Sequence, residues 1–332
     1  MFASAQRFPA LGKVLAQRDP RLLVQSCVGA SFALLLTITV PGIPYVLGPA
    51  LLGVPHVAAE LRLLVLRRDL PRALLATMAV GASLLFLLRF AEIAWPAIAM
   101  GGRVEVGLGW SLGLAGAVFG VVASRRWTRG ALVIAPVAAA LALALAQPSL
   151  ARLVFAHAHN VITIALWVWL FRRRPRFAIP AIALIAIAAV TLASGAALPW
   201  THLRGPWLDR VVMDTLTSLP QSVPQPIAVG IALSYVFLQQ VHYAVWLAWI
   251  PQEDLPVEGT LSFRMSVRSI VRDLGAIGTA VTVLAAVMVL GASLVDVHRT
   301  RAIYLSLATF HGYVEVALLA FFVARRAPAR AS

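Results

Sequence analysis

The chain has 332 residues, of which 61% are hydrophobic and only 12% charged, about half the charged share of a soluble domain; its mean hydropathy is +0.87. Its 28 Lys+Arg against 13 Asp+Glu give a net charge of +15, a balance that in a soluble protein would point to nucleic acid. Here the charges lie in short loops between apolar runs of about 20 residues, each long enough to cross a hydrocarbon core roughly 30 Å thick. The composition is that of an integral membrane protein and excludes a nucleic-acid partner.

The expected fold is all-α, a polytopic bundle of about ten transmembrane helices at 22–40, 43–66, 73–91, 105–123, 131–147, 150–171, 177–198, 226–250, 275–294 and 302–324. These form a single transmembrane domain over 1–332. The apolar run after the basic leader ends in TVPGIPYVLGP with no small-x-small cleavage site, so it is read as a retained helix. Cys27 is the one cysteine, which allows no internal disulfide and no cysteine-based metal cluster.

Most of the basic residues fall in alternate loops, among them Arg67 and Arg68, Arg125 and Arg126, Arg172 to Arg174, and Arg325 and Arg326. This is the positive-inside bias, and it places both termini in the cytoplasm, most simply at a bacterial inner membrane. Two loops are longer. Residues 199–225, with Trp200, Trp207 and several prolines, read as an outer interfacial segment, with Asp209 and Asp214 solvated. Residues 251–274 form a cytoplasmic loop in which Arg264, Arg268 and Arg272 recur every four residues opposite Phe263, Val267 and Val271. That pattern is a basic amphipathic helix lying on anionic lipid. Arg89 and Glu92, near an outer helix end, are expected to pair.

Seven histidines occur. His202 and His298 fall in outer loops. His56, His157, His159, His242 and His311 fall within the second, sixth, eighth and tenth spans, which all run in the same direction. Counted from the span ends at 1.5 Å per residue, their depths differ by roughly one helical turn or less. Ionisable side chains inside a membrane normally face the bundle interior with a partner, and neutral imidazole is a ligand for iron, copper or zinc. His56, His157, His242 and His311 are the expected metal ligands. In FAHAHN, residues two apart point roughly 200° apart on a helix, so His157 is assigned as the ligand and His159 and Asn160 as its neighbours. Glu60 and Glu315 follow His56 and His311 by four residues and share their faces, the arrangement of a carboxylate that accepts the other ring N–H. Gly312, in ATFHGYVEV, permits close helix approach. Tyr243, next to His242, and Tyr313, two residues after His311, are the expected catalytic side chains, lining the reaction cavity.

At GVPHVAAE the chain resembles the Brp/Blh family of membrane β-carotene dioxygenases, whose early helix carries a Pro-His-Gly-Ala-x-Asp type motif. Pro55 and His56 match, the acid recurs as Glu60, and Val57-Ala58 replaces Gly-Ala. The later histidine-rich signature of that family is not reproduced in HYAVWLAWIPQ. The resemblance implies a histidine-held non-haem Fe(II) that uses O2 to cleave an alkene in an isoprenoid such as β-carotene, a lipid-soluble substrate drawn from the membrane. By motif position, only His56 and Glu60 carry over. Two other readings of the same residues stand beside it: a haem or other transition-metal electron carrier with axial histidines, and a proton-coupled transporter using the His/Glu pairs as a relay. No Walker, Rossmann or HExxH motif is present.

Overall fold

The structure is a computed structural model and describes residues 17–95, 102–125, 127–172, 174–201, 219, 222–253 and 263–325. Among these the secondary structure is helical throughout, with no strand. The elements are α1 (Arg18–Thr39), α2 (Gly42–Glu60), α3 (Arg72–Ala94), α4 (Arg103–Ser124), α5 (Trp127–Ala146), α6 (Pro148–Leu166), α7 (Ile179–Ala193), α8 (Gln225–Ala244), α9 (Phe263–Val295) and α10 (Val297–Arg325). Nine helices among the described residues are long and apolar enough to cross a membrane, and the apolar part of α5, Gly130–Ala146, is shorter. Helix count and order therefore follow the apolar runs, as expected for an integral membrane protein.

Several boundaries differ from the sequence expectation; α10, for one, begins at Val297, ahead of residue 302, and takes in His298. Helix α7 stops at Ala193, short of residue 198. Gly195 adopts φ +76°, and the turn closes through Gly195 N–H to Leu192 O at 2.9 Å and Leu198 N–H to Gly195 O at 3.1 Å. A glycine in the left-handed region ends a helix at no steric cost. Helix α9 begins at Phe263 and takes in the basic amphipathic stretch, with a break at Gly275, where φ is 70° and ψ 176°. Beyond that break the helix exposes large apolar side chains on several sides, with Ile277 and Leu294 each 83% exposed, the surface a lipid-facing helix presents. Arg268 and Arg272 are exposed before the break. Most of the outer loop at 199–225, with His202, Trp207, Asp209 and Asp214, and the side chains of Phe263 and Arg264 lie outside the described residues.

Three helices pass into π-helical turns that apolar periodicity does not reveal. Helix α2 continues into Leu61–Leu66, α6 into Trp167–Phe171 and α8 into Val245–Trp249. These helices carry His56, His157 and His159, and His242. A π turn inserts one extra residue into the helical repeat and re-aims the side chains around it, and such turns are frequent at functional sites.

The chain packs as two compact units, residues 1–45 with 164–280 and residues 46–163 with 281–332. In the first, α1, α7 and α8 pack on one another. Gln240 on α8 donates to Thr37 Oγ1 at 2.9 Å and to Ala33 O at 3.3 Å on α1. Trp167, Trp246 and Trp249 are fully buried, with Trp167 and Trp249 ring centroids 5.0 Å apart. The Arg172 guanidinium is buried against Glu253 and Asp19.

In the second unit, α10 packs along α4, with α3 and α5 beside them. The contact depends on Gly109, Gly113, Gly116 and Gly120 of α4, a small-residue stripe of the kind that lets membrane helices approach closely. A Cβ on Gly109 would strike the Tyr313 ring, one on Gly116 the backbone of Ala317, and one on Gly120 the Phe321 carbonyl. At one end of this unit Arg89 pairs with Glu92 and Glu105, Arg152 pairs with Glu105 at 2.5 Å, and Arg89 Nε donates to Ser306 Oγ at 2.8 Å.

Backbone cannot move aside as a side-chain tip can, so Gly116→Ala is expected to destabilise the detergent-solubilised protein by ~1–3 kcal/mol. Gly291→Ala, where an added Cβ meets nothing within 4 Å, removes only the helical penalty of glycine and should stabilise by about 1 kcal/mol or less. Thermal unfolding of the two variants beside wild type checks the opposite signs.

Candidate metal centre

The site in the second unit is built from α2, α6 and α10. Helix α2 supplies His56, one residue after Pro55. A proline inside a helix removes the hydrogen bond to the carbonyl four residues back and loosens that turn. The His56 ring is 2% exposed, and its Nδ1 lies 3.1 Å from Leu52 O. Helix α10 supplies His311, 8% exposed, whose Nδ1 meets Ala308 O. Helix α6 supplies His159, whose Nδ1 lies 2.7 Å from Glu315 Oε2 of α10. That pair is close in charge contact but not aligned as a hydrogen bond. Glu315 is fully buried, and its Oε1 accepts from Thr163 Oγ1 at 2.8 Å.

With the Nδ1 atoms turned towards oxygen, the Nε2 atoms point at one another. His56 Nε2 is 3.4 Å from His311 Nε2, and His311 Nε2 is 3.1 Å from His159 Nε2. Ring-nitrogen protonation is assigned from the hydrogen-bonding surroundings. A backbone carbonyl is an acceptor only, so Nδ1 of His56 and His311 carries the proton and Nε2 of each presents a lone pair. Facing lone pairs with no proton between them repel, and a positive charge at their centre relieves the repulsion. Two imidazoles bound to one ion at 2.0–2.1 Å have their nitrogens roughly 3.0–3.4 Å apart in octahedral or tetrahedral geometry, which is the spacing seen here.

Close approach of α10 to α6 makes this convergence feasible. A Cβ on Gly312 would sit 3.0 Å from Phe155 Cζ and 3.1 Å from His159 Nδ1, so the glycine leaves the space that the His159 ring fills. Phe155 stacks on Tyr313 with centroids 4.2 Å apart and planes at 10°, and it lies 6.2 Å from the His159 ring.

Three assignments from the sequence change. In the FAHAHN stretch, His159 rather than His157 reaches His311; His157 Nδ1 faces Leu153 O at 3.1 Å on its own helix. Glu315 serves His159, not His311. The Nδ1 of His56 takes Leu52 O, not Glu60. The last two have one cause: helical side chains lean towards the N-terminus, so a histidine ring reaches the carbonyl of the preceding turn and not an acid one turn ahead. Asn160 donates to Ala156 O at 3.0 Å, also within its helix. Glu60 is fully buried, and neither of its oxygens takes part in a hydrogen bond. Thr163 is the polar contributor the sequence reading passed over; its place four residues after His159 was the signal available.

In the first unit, His242 is 1% exposed and Tyr243 4%, their ring centroids 5.8 Å apart. The assignment of His242 as a ligand stays with the depth argument made from the sequence. No protein-family model, curated protein or solved structure matches the chain. The class of site rests on chemistry alone: a buried His/Glu group that can hold a metal ion.

Replacing Thr163 by the isosteric valine leaves Glu315 Oε1 without this donor in an apolar interior, at a cost of about 1–3 kcal/mol. The matched change Thr77→Val removes only a bond to Ala73 O within its own helix and should shift stability by less than about 0.5 kcal/mol. Denaturant unfolding in detergent distinguishes the two.

Proposed function

We propose that the protein is a membrane-embedded non-haem iron oxygenase acting on a lipid-soluble, isoprenoid or carotenoid-like substrate, with both termini in the cytoplasm of a bacterial inner membrane. The observation that carries the reading is that His311 Nε2 lies 3.4 Å from His56 Nε2 and 3.1 Å from His159 Nε2, each a ligand-pair spacing. In this reading His311, with His56 and His159 beside it, holds the ion. A small set of neutral nitrogen ligands suits a divalent transition metal and leaves coordination positions open. Bound Fe(II) supplies the activation of O2 at those positions.

The chain's own residues do the rest. The carbonyls of Leu52 and Ala308 fix the protonation of two rings, and Glu315, tethered by Thr163, holds the third. Apolar helices around them exclude water and match a substrate dissolved in the bilayer. Tyr313, fully buried and with a hydroxyl that makes no hydrogen bond, sits two residues from His311 and offers a donor to a polar group of the substrate; Tyr243 is proposed for the same lining. The packing of three imidazoles disfavours the haem alternative, because a porphyrin between any two of them would occupy the place of the third.

Purified protein loaded anaerobically with Fe(II) is expected to hold about one iron per chain, without a Soret band. His56→Ala, His159→Ala and His311→Ala should each lose the iron, and His157→Ala should keep it. The loaded wild type should then consume O2 on addition of β-carotene in detergent. An intense Soret band would move the case to haem electron transfer, and the absence of any bound metal after loading would overturn the metal reading altogether.

A further inference from the structure

Glu60 has no part in the coordination just described, yet it is fully buried. Neither carboxylate oxygen makes a hydrogen bond, and no ion pair joins it to another described residue. It stands one turn after His56, a spacing that sets Cβ atoms about 5–6 Å apart on one face. It is close enough to Glu315 for the two charges to act on each other, and Glu315 touches His159. A buried carboxylate without partners is costly unless a positive charge compensates it. With the three imidazoles neutral, ionised Glu60 and Glu315 contribute −2, which a dication brings to zero; without the ion, the same balance requires both acids to be protonated.

We infer that Glu60 is the charge-selecting residue of the centre, making it prefer a divalent ion over a monovalent one by long-range attraction and not by ligation. The inference rests on the proposed metal centre. Coulomb energy scales with the product of the charges, so removal of one negative charge costs a dication twice the free energy that it costs a monocation at the same place. The loss in affinity for the dication is then the square of that for the monocation. A residue that merely held a ring in position would cost both ions the same factor.

The test is anaerobic competition titration of the full-length protein in detergent with Zn(II) and, separately, Cu(I), comparing wild type with Glu60→Gln, Glu60→Leu and Glu60→Asp. Glu60→Gln is expected to lose about 100-fold in Zn(II) affinity and about tenfold in Cu(I) affinity, within the 10- to 100-fold range of changes around metal ligands. Glu60→Leu should do the same and needs no hydrogen bonds and offers no ligand atom of its own, so it serves if the buried amide of the Gln variant prevents folding. Glu60→Asp keeps the charge and should keep the wild-type ratio of the two affinities. Equal losses for both ions, or no loss in a folded neutral variant, would overturn the inference while leaving the centre intact. A wild type that binds neither ion at one per chain would instead remove the metal centre on which it depends.

Discussion

Two backbone carbonyls decide the chemistry of the centre. Leu52 O and Ala308 O each accept from a histidine Nδ1, and a ring committed there has only a lone pair left at Nε2. Were those rings turned over, an Nε2–H could donate to its neighbour and the cluster would be a hydrogen-bonded chain of neutral imidazoles. As built, the Nε2 atoms of His56 and His311, 3.4 Å apart, are acceptors facing each other. The direction of these lone pairs is set by the ordinary tendency of a helical side chain to lean back on the turn before it.

Bringing the rings so close requires small residues where neighbouring helices and side chains meet α10. Along α4 the four glycines admit the backbone of α10, and on α10 itself Gly312 admits Phe155 and His159. In lipid, apolar side chains gain little from leaving one apolar medium for another, so such contacts are held by dispersion and hydrogen bonds at short range. Thr163 to Glu315 and Arg152 to Glu105 tie α6 to α10 and to α4 on either side of the aromatic stack of Phe155 and Tyr313. The same packing that stabilises this unit orients the metal-facing nitrogens.

The helices were legible because membrane thickness forces long apolar runs, which read directly from the chain. The end of α7 at Gly195 and the break at Gly275 were legible in residue type but not in consequence, since glycine permits a positive φ without requiring it. The histidines were legible as a group from their depth. The choice between His157 and His159 was not, because 100° per residue shows that the two diverge without showing which one faces a neighbour, and the deciding space belongs to Gly312, some 150 residues away in the chain. The partner of Glu315 was hidden for the same reason: spacing within one helix names neighbours along that helix, whereas His159 reaches it across two. The π turns after the histidine-bearing helices leave no trace in hydropathy, which does not register a single inserted residue.

Other buried acids in the molecule meet arginines. Glu92 and Glu105 meet Arg89 and Arg152. Asp19 and Glu253 meet Arg172, with Arg174 also on Asp19. Glu60 has no such counterpart among the described residues, although it is at least as deeply buried as any of these groups. Among the described residues Glu60 is a fully buried carboxylate that no arginine meets, one turn along the helix from an imidazole of the centre. The proposed divalent ion would supply the positive charge that an ionised Glu60 lacks there.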